Sequence, residues 1–127
     1  MANPISQQIK TGTIGELLVQ LRLLQYNIQA APPLKDSGND LIAVKRNYFK
    51  AIQVKTSTNG NFSKPPNNKI YHILAVVYLK GYDNKIQLDN SEIYLIPKKD
   101  VENISTAIRF LDSKYKINQN LLDELFK

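Results

Sequence analysis

The sequence predicts a mixed α/β fold, a helix packed on a β-sheet, and three observations carry that prediction. Ile14, Leu17, Leu18, Leu21 and Leu24 recur at three- and four-residue spacing, the pattern of one buried helix face. Two apolar runs, Leu41-Ile42-Ala43-Val44 and Ala51-Ile52-Gln53-Val54, flank a short polar break, as in a strand hairpin. Residues 70–79 are apolar almost throughout and do not alternate, which fits a strand buried on both faces at the centre of a sheet. Helix, hairpin and central strand in that order build a helix layer on a sheet layer.

Taken in order, residues 1–8 are polar, with Pro4 near the start. The helix runs from about Ile9 to Leu24, and Tyr26-Asn27 ends it. Gly12 and Gly15 lower its intrinsic propensity; alternatively they let another backbone or a ligand come close. Residues 27–34 read as extended, and Pro32 and Pro33 keep them from forming a central strand along their whole length. Residues 35–39 form a polar turn containing Gly38. The first hairpin strand covers 40–44, Lys45-Arg46-Asn47 turns the chain, and the second strand covers 48–57. Residues 58–69 carry Asn-Gly and Pro-Pro breakers, and a loop of that length inside a compact domain is usually functional or mobile. Beyond the central strand, Gly81-Tyr82-Asp83-Asn84 turns the chain. Residues 85–88 and 92–97 follow as short strands, the second ended by Pro97. Residues 100–111 fit a helix through Ile104, Ile108 and Leu111, while 106–111 also fit an edge strand. Asn120 is placed to cap a last helix over 121–126. No repeat or low-complexity tract divides the 127 residues, so one domain is expected.

Composition narrows the chemistry. There is no Cys, which excludes disulfides, thiolate metal sites and Cys nucleophiles. The lone His72 argues against a His-based zinc site or a His-dependent triad within one chain. A metal here would have oxygen ligands and so be a hard ion such as magnesium, with manganese as the alternative. No apolar run reaches the roughly 18 residues of a membrane span, and no secretory signal pattern opens the chain, so a cytoplasmic protein is expected. The net charge of +6 and pI near 9.5 favour a polyanionic partner.

Polar residues interrupt the hairpin in a definite pattern. Alternate side chains of a strand share a face, so Ala51, Gln53 and Lys55 point one way and Ile52, Val54 and Thr56 the other. If the strands pair, Asp40, Gln53 and Lys55 converge near one end of the sheet. Each has a plainer reading. Thr13-Ile14-Gly15-Glu16 matches a capping box, Asp40 suits a turn, and Gln53 and Lys55 suit a solvated strand face. His72 reads as a satisfied core or interface histidine, and Tyr71 and Tyr78 as core or interface aromatics. Lys64 and Lys69, on the Pro-rich loop, either touch phosphates or are simply solvated, and Lys98 and Lys99 read the same way.

Together, Gly12-Thr13-Ile14-Gly15-Glu16, Gly38-Asn39-Asp40-Leu41 and Gln53-Val54-Lys55-Thr56 resemble the PD-(D/E)XK nuclease superfamily. The nearest likeness is to its small stand-alone restriction or homing endonucleases and Holliday-junction resolvases, whose cores read G-x-x-G-E, G-x-D-L and Q-V-K-[ST]. The resemblance is close over 12–57 and looser to Pro97. It implies a restriction-endonuclease-like core, a central mixed sheet flanked by helices, with 106–111 as a strand. It also implies a magnesium- or manganese-dependent endodeoxyribonuclease that leaves a 5′-phosphate. Asp40 would be the principal metal ligand and Gln53 a neutral amide ligand, with the Val54 carbonyl as another. Glu16 would bind metal or a metal-bound water, and Lys55 would orient the attacking water or balance phosphate charge. The partners implied are double-stranded or branched DNA and further copies of the chain, as a homodimer or dimer of dimers. Gln53 departs from the usual Glu or Asp, removes one negative charge, and keeps open a non-catalytic DNA- or protein-binding module.

Overall fold

The computed structural model describes residues 5–34, 40–82 and 85–127. The expected turn at 35–39, including Gly38 and Asn39 of the second motif, lies outside the described residues, as do Asp83-Asn84 and residues 1–4.

Helix α1 (Gln7–Gln25) starts slightly earlier than its periodicity predicts, because Ser6 caps it: the Ser6 hydroxyl accepts the Ile9 N–H at 3.1 Å. Glu16 is therefore a mid-helix residue, and the capping-box reading of Thr13 to Glu16 is corrected. The predicted buried face also needs correction. Leu18, Val19 and Leu23 are buried with Gly15, and Ile14 packs partly, whereas Leu17, Leu21 and Leu24 are 57%, 47% and 60% exposed. The helix meets the sheet through Gly15, which carries no side chain and so leaves no mark in the hydrophobic pattern. The observed contact face is rotated away from the leucine stripe.

After Asn27 (φ 65°), β1 (Gln29–Ala31) ends at the two prolines. The hairpin is β2 (Leu41–Lys45) and β3 (Tyr48–Ser57), turning through Arg46 at φ 56°. The central β4 (Ile73–Tyr78) is buried on both faces up to Tyr78, as predicted. A two-stranded ribbon, β5 (Gly81–Tyr82) and β6 (Lys85–Ile86), precedes a 3-10 turn at Leu88–Asn90 and then β7 (Glu92–Pro97). The main sheet has the order β1-β2-β3-β4-β7, with β3 and β4 parallel and every other pair antiparallel. This is the predicted mixed sheet flanked by helices.

Alternation along the strands divides the core. One face carries Ile52, Val54, Ala75, Val77 and Leu95 against α1 and the terminal helix α2 (Gln119–Leu125). The other carries Leu74, Val76, Tyr94 and Ile96 against Val101, Ile108 and Tyr115. The segment 100–111 is neither helix nor strand. It forms 3-10 turns at Lys98–Asn103 and Ile108–Phe110, with one isolated bridge between Asn61 and Ala107. Its backbone partners lie in the preceding loop: Phe62 N–H donates to Thr106 O at 3.0 Å and Ile108 N–H to Gly60 O at 2.8 Å. The loop at 58–69 is thus pinned across this sheet face. Asn118, not Asn120, caps α2, its side chain accepting the Leu121 N–H at 2.9 Å.

Candidate functional site

Asp40 stands at the entrance to β2, and its backbone N–H donates to Ile52 O at 2.8 Å, continuing the hairpin ladder by one residue. Its carboxylate is fastened across the hairpin. Oδ2 accepts the Gln53 Nε2–H at 3.0 Å and the Val54 N–H at 2.9 Å. Hydrogen bonds to a charged acceptor are stronger than those to a neutral one, so the two donors fix the Asp40 carboxylate in direction. The turn reading of Asp40 does not account for this, since both partners lie on the neighbouring strand.

Lys55, two residues beyond Gln53, is half-buried, and so is Glu16. Both line one cavity of about 360 Å³ between the first turns of α1 and the end of β3, along with Gly12, Val54 and Thr56. Gly15 makes this possible. An added Cβ there would lie 1.8 Å from Thr56 Oγ1, so only glycine lets the helix come this near the strand. Gly12 has nothing within 4 Å of such a Cβ and plays no part in that approach. Val54 belongs to both halves of the site: its N–H holds Asp40, and it lines the cavity shared by Glu16 and Lys55. The fold therefore gathers all four motif residues around the stretch 53–55.

The donor set is hard and sparse. Among the described residues no three His, Cys, Asp or Glu side chains form a metal-holding group. Two carboxylates and an amide match a hard ion that keeps several waters, as magnesium does. The Gln53 NH2 faces Asp40, so its amide oxygen points elsewhere; offering that oxygen beside Asp40 takes a half-turn of the amide.

Other predicted residues fall outside the cluster. Lys64 Nζ donates to Glu102 O at 3.1 Å, and Lys69 accepts, through its carbonyl, the Lys98 ammonium at 2.6 Å. Neither lysine lines the cavity. His72 precedes β4 rather than lying within it and is exposed, a correction to its core reading. Its Nδ1 accepts the Ala51 N–H at 2.9 Å, closing the edge of the ladder. Tyr71 is buried in the second core face and Tyr78 packs against it. Sequence reasoning gave no joint role to Lys50, Lys99 and Lys114, which line one cleft of about 1040 Å³. They are scattered over three segments, and no spacing rule connects them.

No family model matches the chain, and no curated protein matches it by sequence. In three dimensions it is similar to a bacterial homing endonuclease, I-Ssp6803I, with a TM-score of 0.63 over 94% of this chain and 91% of that one, at 17% identity. A likeness at that identity shows a shared fold.

Proposed function

We propose that the chain is a divalent-metal-dependent DNA endonuclease of the PD-(D/E)XK type. The observation that carries this reading is the Asp40 carboxylate fastened to Gln53 and Val54, with Glu16 and Lys55 on the adjoining cavity. The fold shared with a homing endonuclease supports DNA as the substrate and favours a homing or restriction-type enzyme over a resolvase. Asp40 and Glu16 would hold magnesium or manganese, with the Gln53 amide oxygen and the Val54 carbonyl as neutral donors. Such an ion polarises the phosphodiester and lowers the pKa of a bound water. Lys55 places an ammonium at the cavity wall, where it stabilises negative charge gathering on the scissile phosphate and holds the attacking water in line. The hairpin holds Asp40 in position before substrate arrives, so little reorganisation is left to the reaction.

Symmetric cutting of a duplex takes two such sites, and a homodimer or dimer of dimers provides them. The exposed leucines of α1 support a second copy, since three apolar side chains on one helix face are costly in water. An intracellular location suits a DNA substrate, and no helix among the described residues is long and apolar enough to cross a membrane. A second reading, a non-catalytic DNA- or protein-binding module of the same fold, is favoured by Gln53 and by the lack of a third carboxylate among the described residues.

The test is cleavage of supercoiled plasmid, linear duplex and branched DNA with magnesium, manganese or EDTA, alongside Asp40→Ala. Metal-dependent cutting lost in the variant is expected. Cutting that survives loss of Asp40 overturns the reading, and metal-independent DNA binding without cutting, on target-rich DNA, selects the module.

A further inference from the structure

Two clefts of this protein, among others, sit toward opposite ends of β3. Lys55 lines one and Lys50 the other. Five residues of strand separate them, roughly 17 Å at 3.4 Å per residue. The Lys50 cleft encloses about 1040 Å³ between the start of β4, the end of β7 and α2.

Its walls are cationic. Lys50, Lys99, Lys114 and Lys127 face two carboxylates, and both carboxylates are engaged. Asp100 accepts the Tyr115 hydroxyl at 2.9 Å, and Glu124 lies 2.9 Å from Lys127 Nζ. Lys50 and Lys99 have no carboxylate partner among the described residues. His72 adds a neutral donor. Its Nδ1 accepts the Ala51 N–H, so the neutral ring carries its proton on Nε2, the nitrogen farther from the backbone. With Lys127 paired to Glu124, Lys50, Lys99 and Lys114 come together from three segments of chain and outnumber the one remaining carboxylate, Asp100. That excess of positive charge attracts a multivalent anion.

We propose that this cleft binds backbone phosphates of the DNA duplex flanking the cleaved bond, a second contact that positions substrate without taking part in the chemistry. The inference rests on the endonuclease reading above.

The experiment compares wild type, Lys50→Ala/Lys99→Ala and Lys50→Arg/Lys99→Arg, all checked for folding by circular dichroism. Binding to a 30-base-pair duplex is followed by fluorescence anisotropy in EDTA over a range of salt. The alanine pair lowers affinity about tenfold and reduces the salt slope by nearly 2, while the arginine pair keeps both. With magnesium, the alanine pair raises the DNA concentration needed for half-maximal cleavage about tenfold, and the arginine pair keeps it at the wild-type value. Wild-type binding with no loss in affinity or slope in the alanine pair overturns the second contact while leaving the Asp40 site standing. Absence of any DNA binding by wild type overturns both. Lysine-dependent capture of AMP or inorganic phosphate, with DNA affinity unaltered, reassigns the cleft to small phosphates and overturns the proposal.

Discussion

Replacing Gly15 by alanine tests how α1 and the hairpin build the site. The new Cβ falls 1.8 Å from Thr56 Oγ1 and 2.9 Å from both Thr56 Cβ and Cγ2. Rotation about χ1 moves Oγ1 but leaves Thr56 Cβ in place, one bond from the backbone of β3. The helix must therefore retreat from the sheet, loosening the buried contacts of Leu18, Val19 and Leu23. Overpacking of this kind costs about 1–3 kcal/mol, while alanine in a helix interior returns up to about 1 kcal/mol over glycine. A net loss of about 1–2 kcal/mol lowers the melting temperature of a chain this size by roughly 3–8 °C. Thermal and urea unfolding read the change. In a double-mutant cycle with Thr56→Ala, which removes Oγ1 and Cγ2, at least half of the loss is recovered. DNA cleavage falls further than stability, because the retreating helix carries Glu16 away from the cavity. Gly12→Ala is the control: it meets no atom within 4 Å and stabilises by up to about 1 kcal/mol. A Gly15→Ala protein as stable as wild type, or both glycine variants shifting in the same direction, refutes the close-approach explanation.

Gln53→Glu sets a second carboxylate beside Asp40; magnesium raises its melting temperature by several degrees more than that of wild type, and equal shifts in differential scanning fluorimetry count against metal binding there. The Tyr94 and Tyr115 hydroxyls are each pushed up to about 12 by burial and then by the carboxylates of Glu92 and Asp100. Because the folded state holds these protons more tightly, their stabilisation is whole below pH 10 and drains away as pH rises from 10 through 12. Tyr115→Phe should flatten that limb in urea titrations. Glu92 is buried enough to raise its pKa, but hydrogen bonds from Tyr94 and Lys116, with the charges of Lys116 and Lys80, outweigh burial and hold it below 4.5. Its contribution is present above pH 4.5 and is lost as pH falls through the folded value, so Glu92→Gln should lessen acid sensitivity below that pH. Leu21→Glu should convert a dimeric species to monomer in size-exclusion chromatography with light scattering, and an unchanged mass removes α1 as the interface.

The hairpin, the central strand and the mixed sheet were legible because β-branched runs and breaker residues sit where strands and turns occur. The grouping of Asp40 with Gln53 and Val54 was legible because these residues lie in short segments, each with its own local pattern, on two strands that pair. The orientation of α1 was not. Its strongest hydrophobic periodicity marks an exposed stripe, and the residue that sets the true contact face is a glycine, invisible to any hydrophobic scale. The segment 100–111 misled for a related reason. Ile104, Ile108 and Leu111 have helical spacing, yet the backbone partners of 106 and 108 are loop residues 62 and 60, a pairing no local pattern encodes. The lysine cleft was out of reach because Lys50, Lys99 and Lys114 meet only after the sheet and α2 have formed.

Gln53 has a structural consequence that a charge count alone misses. A glutamate there would place two carboxylates about 3 Å apart at the open end of the hairpin. At an effective dielectric of about 20, that repulsion is on the order of 5 kcal/mol before solvent and protonation relieve it. The Gln53 amide donates to Asp40 instead, at 3.0 Å, and the Val54 N–H adds a second bond at 2.9 Å. Two neutral donors thereby help to close the hairpin. What is given up is one unit of negative charge toward any bound ion, which Glu16 can restore only while Gly15 keeps α1 against Thr56. Affinity for a divalent ion should therefore depend on helix packing as well as on the ligands themselves, so that Gly15→Ala weakens it without altering a single donor.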